Sequence, residues 1–187
     1  MYLIERIIPV PTDKVRRDEN NAEHSWSVAM LSCCLAPLID PSLDVGKICQ
    51  YATIHDLPEV YAGDTPVWGN NGLQKTKEKR EAEAVEKVKH ESQAFPWVSL
   101  TLDAYWEQKD DESKFVRAVD KLITLYYDDM DEGRYYLDHK ITSDMFETTM
   151  SSHRQKAHSH PTVGMYYEEI RKVILENPSY WYRSDDN

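Results

Sequence analysis

The chain has 187 residues, of which 41% are hydrophobic and 29% charged, and a formal net charge of −11 at pH 7. This length predicts a single domain over residues 1–187, because domains commonly hold ~100–200 residues. The negative charge argues against binding to a nucleic acid polymer, since that affinity comes largely from Lys and Arg contacts to phosphates. No apolar run approaches the ~20 residues that cross a bilayer, and the N-terminus lacks signal-peptide features. We therefore expect a soluble, cytoplasmic protein without a membrane partner.

Apolar residues recur at intervals of three and four from residue 22 to residue 175. This spacing predicts an all-α fold, a single-domain helical bundle. We expect Asp44 to cap the second helix, Ser143 to cap the sixth, and Pro161 to lie in the first turn of the last. The predicted helices are 22–39, 45–56, 73–92, 98–106, 112–132, 143–158 and 161–175.

The first two predicted helices each carry a histidine on an apolar stripe. In the first helix, His24 is followed by an apolar residue at each helical step, at Val28, Leu31, Leu35 and Leu38. Residues at this spacing share one face, so we expect the whole stripe, with its histidine, to be buried.

In the second helix, His55 ends a stripe that begins at Val45. Asp56 follows, about 100° around the helix. Pro58 removes a backbone donor and disfavours helical geometry at the residue before it, so the helix should stop or kink there. Glu59 then opens a new turn, and Asp64 lies in the turn that follows it.

Asp120 interrupts the apolar stripe of the fifth predicted helix, between Val116 and Ile123. A carboxylate on a buried face needs a partner. Lys121 is adjacent in sequence but on another face, which weakens a local ion pair as the explanation. Taken singly, a buried His or Asp is more often a hydrogen-bonded core residue than a metal ligand.

Considered together, His24, His55, Asp56 and Asp120 supply four ligands from three helices to a divalent cation. Such a cation would offset the cost of burying two carboxylates. A mixed nitrogen and oxygen set suits Mn, Co, Zn, Fe or Ni and does not exclude Mg, and we expect one ion. Glu59 and Asp64 would lie near it as groups that orient or transfer protons, within a metal-site core at about residues 22–130.

Four segments in this order resemble the HD-domain metal-dependent phosphohydrolases, and most closely their compact 5′-deoxynucleotidase branch. The segments are ENNAEHSWSVA (19–29), HDLPEVYAGDTP (55–66), REAEAVEKV (80–88) and ESKFVRAVDKL (112–122). The resemblance implies an all-α HD-domain fold and a metal held by the two histidines and two aspartates named above. It also implies hydrolysis of (deoxy)nucleoside 5′-monophosphates to nucleoside and phosphate, and a homodimer.

Roles within that reaction follow from the residue types. Glu59 is our candidate for orienting or deprotonating the attacking water, and Asp64 for protonating the leaving 5′-oxygen. Arg16 or Arg17 would bind the phosphate, with Arg6 as the second choice, because a guanidinium pairs well with phosphate oxygens. The ordinary alternatives are surface charges and, for Asp64, a turn-stabilising side chain.

Other functions remain open at this stage. The bacterial deoxynucleotidases carry an Arg-Trp pair ahead of the first metal histidine, whereas this chain has Arg6-Ile7 and Arg16-Arg17, so the sugar preference is open. A deoxynucleoside triphosphate triphosphohydrolase on the same scaffold is the nearest alternative. A non-catalytic nucleotide-binding HD protein has less support. A guanosine tetraphosphate hydrolase would carry Glu-Asp after the HD dipeptide, where this chain has Glu59 followed by Val60.

Overall fold

The computed structural model describes residues 5–9, 18–65, 67–68 and 71–183, with backbone alone at residues 5–9 and at Asn71. The predicted all-α fold is confirmed, with one short two-stranded sheet that the apolar pattern did not predict. In chain order the elements are β1 (Glu5–Pro9), β2 (Asp18–Asn20), α1 (Asn21–Ile39), α2 (Val45–Ile54), α3 (Glu59–Ala62), α4 (Asn71–Glu91), α5 (Pro96–Glu107), α6 (Asp111–Met130), α7 (Arg134–Asp138), α8 (Ser143–Thr149), α9 (Ser151–Ala157) and α10 (Pro161–Glu176), followed by a 3-10 turn (Pro178–Tyr180).

Contacts within the chain define two compact units. Of the described helices, the first unit holds α1 to α5 and the start of α6 up to Val116, and the second holds the rest of α6 and α7 to α10. The single domain over residues 1–187 stays a prediction. None of the helices in the described ranges is long and apolar enough to cross a membrane.

The first unit begins with a capping box at the start of α1. The Asn20 side chain accepts hydrogen bonds from the backbone N–H groups of Ala22 and Glu23, and the Glu23 carboxylate accepts one from the Asn20 N–H, at 3.0 to 3.1 Å. These bonds satisfy backbone donors that a helix start leaves without partners. The box thereby fixes the first turn of α1, which carries His24.

The buried face of α1 differs from the predicted stripe beyond Val28. His24 and Val28 are buried as expected, but the face then continues through small residues, whereas Leu31 and Leu35 are half-buried and Leu38 is 81% exposed. The buried small residues are Ala29, Ser32 and Ala36. The helix packs against α2. The leucine pattern therefore predicted the wrong buried residues beyond Val28.

A polar network in the first unit joins α2 to the start of α6. Asp110 accepts hydrogen bonds from the Tyr51 hydroxyl at 2.7 Å and from the Ser113 backbone at 2.8 Å, and its carboxylate lies 3.0 Å from the Lys47 ammonium. Burial opposes ionisation of Asp110, but these bonds outweigh it and lower its pKa to about 2. Asp44 caps α2 as predicted, by accepting from the Lys47 N–H.

The second unit packs aromatic side chains from α7, α8 and the C-terminal segment. Trp181 stacks on Tyr136 with ring centroids 4.9 Å apart and contacts Phe146 at 5.2 Å. Gly133 has a φ of 68°, and a β-carbon there would come within 2.7 Å of Tyr180, so this position requires glycine.

Two predictions in the second unit need correction. The helix predicted over 143–158 is divided at Met150 into α8 and α9, and Thr142 rather than Ser143 caps α8, by accepting from the Met145 N–H. Thr142 and Ser143 both carry a hydroxyl that can cap a helix. Thr142 is the cap because its backbone is extended, as an N-cap residue requires. Pro161 begins α10, as predicted.

Candidate metal centre

His24 is placed by the first turn of α1 and is 1% exposed. It lies one helical turn before Val28, on the face that packs against α2. The capping box just before it holds the backbone of this turn in place. A buried histidine on a fixed helical turn has little rotational freedom, and a metal ligand needs such a fixed orientation.

His55 and Asp56 lie where α2 ends. The His55 N–H still donates to the Tyr51 carbonyl, after which Asp56 enters a turn closed by the Glu59 N–H donating to the Asp56 carbonyl. Pro58 then precedes the short helix α3, so the predicted stop at this proline is confirmed. Asp56 therefore lies in the turn between α2 and α3.

The two imidazole rings and the Asp56 carboxylate form a compact cluster. The ring centroids of His24 and His55 are 5.5 Å apart. Asp56 Oδ2 lies 3.6 Å from His24 Nε2 and 3.4 Å from His55 Nε2. Both rings therefore present the same nitrogen to one carboxylate oxygen.

The environment of His55 favours a tautomer that can bind a metal. Its Nδ1 lies 2.8 Å from the Ala52 carbonyl oxygen. A carbonyl only accepts, so Nδ1 carries the proton and the Nε2 of the neutral ring presents a lone pair toward Asp56. Two facing acceptors repel unless a proton or a cation lies between them. A metal-bound histidine usually donates the N–H of its other ring nitrogen to a nearby acceptor such as a backbone carbonyl, and this bond fixes the orientation of the ring.

Asp120, on α6, completes a group that could hold a metal ion. One ligand atom from each of His24, His55 and Asp120 lies within 4.8 Å of the other two, and all three residues are buried. Two imidazoles with carboxylate oxygens suit a divalent transition metal. The assignment of four ligands stays a prediction, and the donors present fit it.

Lys121 pairs with Asp120, contrary to the expectation from their helical positions. Its Nζ lies 2.6 Å from Asp120 Oδ2. A lysine has four methylene groups, so its ammonium can fold back to a neighbouring position that its Cα does not face. The pair explains part of the burial of Asp120. The Lys121 ammonium contacts one of the two carboxylate oxygens, Oδ2.

Asn21 links this group to Glu59, and the sequence reasoning did not identify it. Its Nδ2 donates to Glu59 Oε2 at 3.0 Å and lies 3.3 Å from the Asp56 carbonyl oxygen. Asn21 is buried, and its Oδ1 accepts no hydrogen bond within the described ranges. The side chain therefore serves mainly as a donor that fixes Glu59 against the turn bearing Asp56. Its position three residues before His24, one helical turn away, was the signal available in the sequence.

Asp64 follows α3, after Gly63 at a φ of 73°. No hydrogen bond in the described part of the chain joins Asp64 to either histidine or to Asp56, so its role stays a prediction. Arg80, on α4, donates hydrogen bonds to residues on both sides of Asp64. Its guanidinium donates to the Ala62 carbonyl and, at 2.7 Å, to the Thr65 hydroxyl. Arg80 therefore fixes the loop that carries Asp64.

The three arginines predicted to bind phosphate have no side chain among the described residues. Arg16 and Arg17 lie outside the described residues, and Arg6 is described only as backbone in β1. Their assignment stays a prediction. Lys121 is a cation that the sequence reasoning did not assign to the site, and it contacts Asp120 directly.

Comparisons with known proteins agree with this fold. The HD domain family matches residues 10–162, more than half of the chain. The structure is similar to the crystal structure of a predicted metal-dependent phosphohydrolase from Magnetospirillum magnetotacticum, with a TM-score of 0.72 and 23% identity, covering 96% of this chain and 88% of that one. At that identity the likeness concerns the fold. No curated protein matches. The chain belongs to the HD domain family.

Proposed function

We propose that the protein is a metal-dependent phosphohydrolase that cleaves (deoxy)nucleoside 5′-monophosphates to nucleoside and phosphate. The observation that carries the proposal is the buried group of His24, His55 and Asp120, with the carboxylate of Asp56 against both rings. Membership of the HD domain family supports it, as does the likeness to a predicted phosphohydrolase of the same fold. The choice of nucleotide rests on the four sequence segments.

His24, His55, Asp56 and Asp120 would hold one divalent ion. When bound there, the ion polarises a phosphoryl oxygen and lowers the pKa of water toward neutrality. The hydrogen bond from His55 Nδ1 to the Ala52 carbonyl keeps the ring in its binding orientation. Lys121 limits the excess negative charge by pairing with Asp120.

Glu59 accepts the proton of the attacking water in this scheme. Water adds to phosphorus, the bond from phosphorus to the 5′-oxygen breaks, and the water proton passes to a Glu59 oxygen. Asn21 donates to Glu59 Oε2 and so orients the carboxylate that accepts this proton. Positioned proton transfer of this kind contributes about 10²- to 10⁴-fold to rate.

Asp64 donates a proton to the departing 5′-oxygen, which leaves as the nucleoside hydroxyl. Asp64 lies in the loop that Arg80 holds in place. Arg16 or Arg17, with Arg6 as the alternative, would bind the outer phosphate oxygens through their guanidinium groups. Lys121 is a further candidate for this contact. We also expect a homodimer, which light scattering on the purified protein would test.

Product analysis tests the proposal. Chelator-treated protein is resupplied with Mn or Co and offered deoxy- and ribonucleoside mono- and triphosphates, with the Glu59→Gln variant as control. We expect orthophosphate from the monophosphates and a loss of about 10²-fold or more in the control. Tripolyphosphate as the main product would replace the proposed reaction with triphosphate hydrolysis. No product with either metal would overturn the enzymatic assignment.

A further inference from the structure

A groove of about 570 Å³ lies within the first unit, among α1, the end of α2, α3 and α4. Its volume falls within the ~300–1,000 Å³ range of small-molecule sites. We propose that this groove binds the nucleoside portion of the substrate while the phosphate lies at the metal centre. The inference rests on the proposed function and adds a specific site for the part of the substrate that does not react.

The groove adjoins the candidate metal centre at two residues that belong to both. Asn21 and Asp56 both line it. Asp56 places Oδ2 within 3.6 Å of the Nε2 atoms of His24 and His55, and Asn21 donates to Glu59. Part of the groove wall is therefore formed by residues that contact the histidines and Glu59. A phosphate ester bound at the metal centre would have its alcohol portion next to this wall.

The charge of the groove favours an uncharged occupant over a polyphosphate. The described residues that line it include no lysine and no arginine, while Asp56 and Glu91 are acidic. The nearby Lys87 ammonium lies over the ring of Tyr61. An anionic chain would be repelled by the two carboxylates, whereas an uncharged nucleoside would not be.

The walls of the groove offer both contacts that a nucleoside needs. Leu57, Val60 and Val88 supply apolar surface for a base, and Ser25 and Thr53 line the groove with hydroxyl groups. The Thr53 hydroxyl donates to the Cys49 carbonyl and can still accept a hydrogen bond from a sugar. Nucleosides combine an apolar ring face with polar edges, and sites for such ligands are mostly apolar with a few polar groups.

Two aromatic residues could stack on the base. Phe95 lines the groove and is 68% exposed, an unusual position for a phenylalanine without a partner surface. Tyr61 is held by its hydroxyl donating to Glu91 and by the Lys87 ammonium 3.9 Å from its ring centroid. Stacking on such rings tolerates different bases because every base has a flat face.

Nucleoside binding to metal-free protein tests the groove without relying on catalysis. Titrations of 2′-deoxyadenosine and thymidine are followed by amide NMR shifts. Thr53→Trp fills the groove from α2, and Ser92→Trp fills it from the end of α4. Gln93→Trp is the matched control, because Gln93 is exposed and does not line the groove.

We expect the wild type and Gln93→Trp to bind equally, and each filling variant to bind at least tenfold more weakly. Phe95→Ala should weaken binding about 5- to 100-fold through lost stacking. Equal binding by the folded filling variants, or no binding by the wild type, would overturn the groove assignment.

Kinetics separate this inference from the proposed function. If monophosphates are hydrolysed, Thr53→Trp should raise KM at least tenfold and change kcat by less than about threefold, because Thr53 contacts no reacting group. If Thr53→Trp turns over substrate with an unchanged KM, nucleoside binding in the groove is refuted and the proposed hydrolysis is not. If the protein shows no turnover but binds nucleosides, and Thr53→Trp abolishes that binding, the groove assignment is supported and the proposed hydrolysis is refuted.

Discussion

Replacement of Asp128 by Asn should remove a pH dependence of stability that originates in the second unit. Asp128 is buried on α6, and its Oδ2 accepts a hydrogen bond from the Tyr136 hydroxyl at 2.6 Å. Burial raises its pKa from 3.8 to about 7; the Tyr136 bond opposes the rise and the Asp131 charge adds to it. Asn has the same shape and keeps an acceptor for Tyr136, but it does not ionise.

The direction and size of this pH effect follow from the difference in the Asp128 pKa between the folded and the unfolded protein. Between pH 4 and pH 7 the folded protein keeps a proton on Asp128 that the unfolded chain releases, so the free energy of unfolding falls as pH rises. The contribution is fully present below about pH 4 and is lost as pH rises through about 7. Each pKa unit corresponds to about 1.36 kcal/mol, so a shift of about three units corresponds to about 4 kcal/mol.

Urea denaturation at intervals from pH 4.5 to pH 8, with chelator present throughout, measures this effect. The wild type should lose about 3 kcal/mol relative to Asp128→Asn across this range, because about 2.5 of the roughly three pH units between the two pKa values lie within it. Asp144→Asn, which removes an exposed carboxylate from the same unit, controls for the loss of one charge. If the difference between wild type and Asp128→Asn stays constant within about 1 kcal/mol, Asp128 does not titrate as described.

Three other predictions address the site and the first unit. Asn21→Ala should lower kcat about tenfold or more and keep the metal, since Glu59 loses a positioning donor; metal analysis with steady-state kinetics checks this, and Asn21→Ala with wild-type kcat would contradict it. Asp110→Asn should destabilise the fold by about 2 kcal/mol at pH 7 in urea titrations, and because the Asp110 pKa is lowered, the effect should vanish as pH falls from about 4 through about 2. Leu102→Ala should cost about 2–5 kcal/mol, because Leu102 is buried against Ile54 and Val88, whereas the exposed Leu100→Ala should cost less than about 0.5 kcal/mol.

The sequence predicted the helices well because their periodicity and end signals agree. Asp44 caps α2 and Pro161 begins α10, as their residue types indicate. The prediction was weakest where residues distant in the chain determine local structure. Leu38 is exposed, whereas Ala29, Ser32 and Ala36 are the buried residues of this part of α1. Hydrophobicity alone does not reveal which face of a helix allows close approach.

The candidate site was predictable to the level of residue type and helix face. His24, His55 and Asp120 are buried and close together, as their stripes indicated. The supporting residues were not predictable in the same way. The contact of Asn21 with Glu59 crosses 38 positions of sequence, and the bonds from Arg80 to the Asp64 loop depend on where α4 lies. Helical spacing within one element carries no information about such contacts.

Metal content measured together with turnover tests the central claim most directly. Wild type, Asp120→Ala, Glu59→Gln and the control His139→Ala are purified identically, analysed for bound metal per chain and assayed with deoxynucleoside monophosphates. We predict about one ion per chain and full activity for wild type and His139→Ala, no retained ion and no activity for Asp120→Ala, and a retained ion with at least about 10²-fold lower turnover for Glu59→Gln. An Asp120→Ala protein that keeps its metal and its activity would contradict the account.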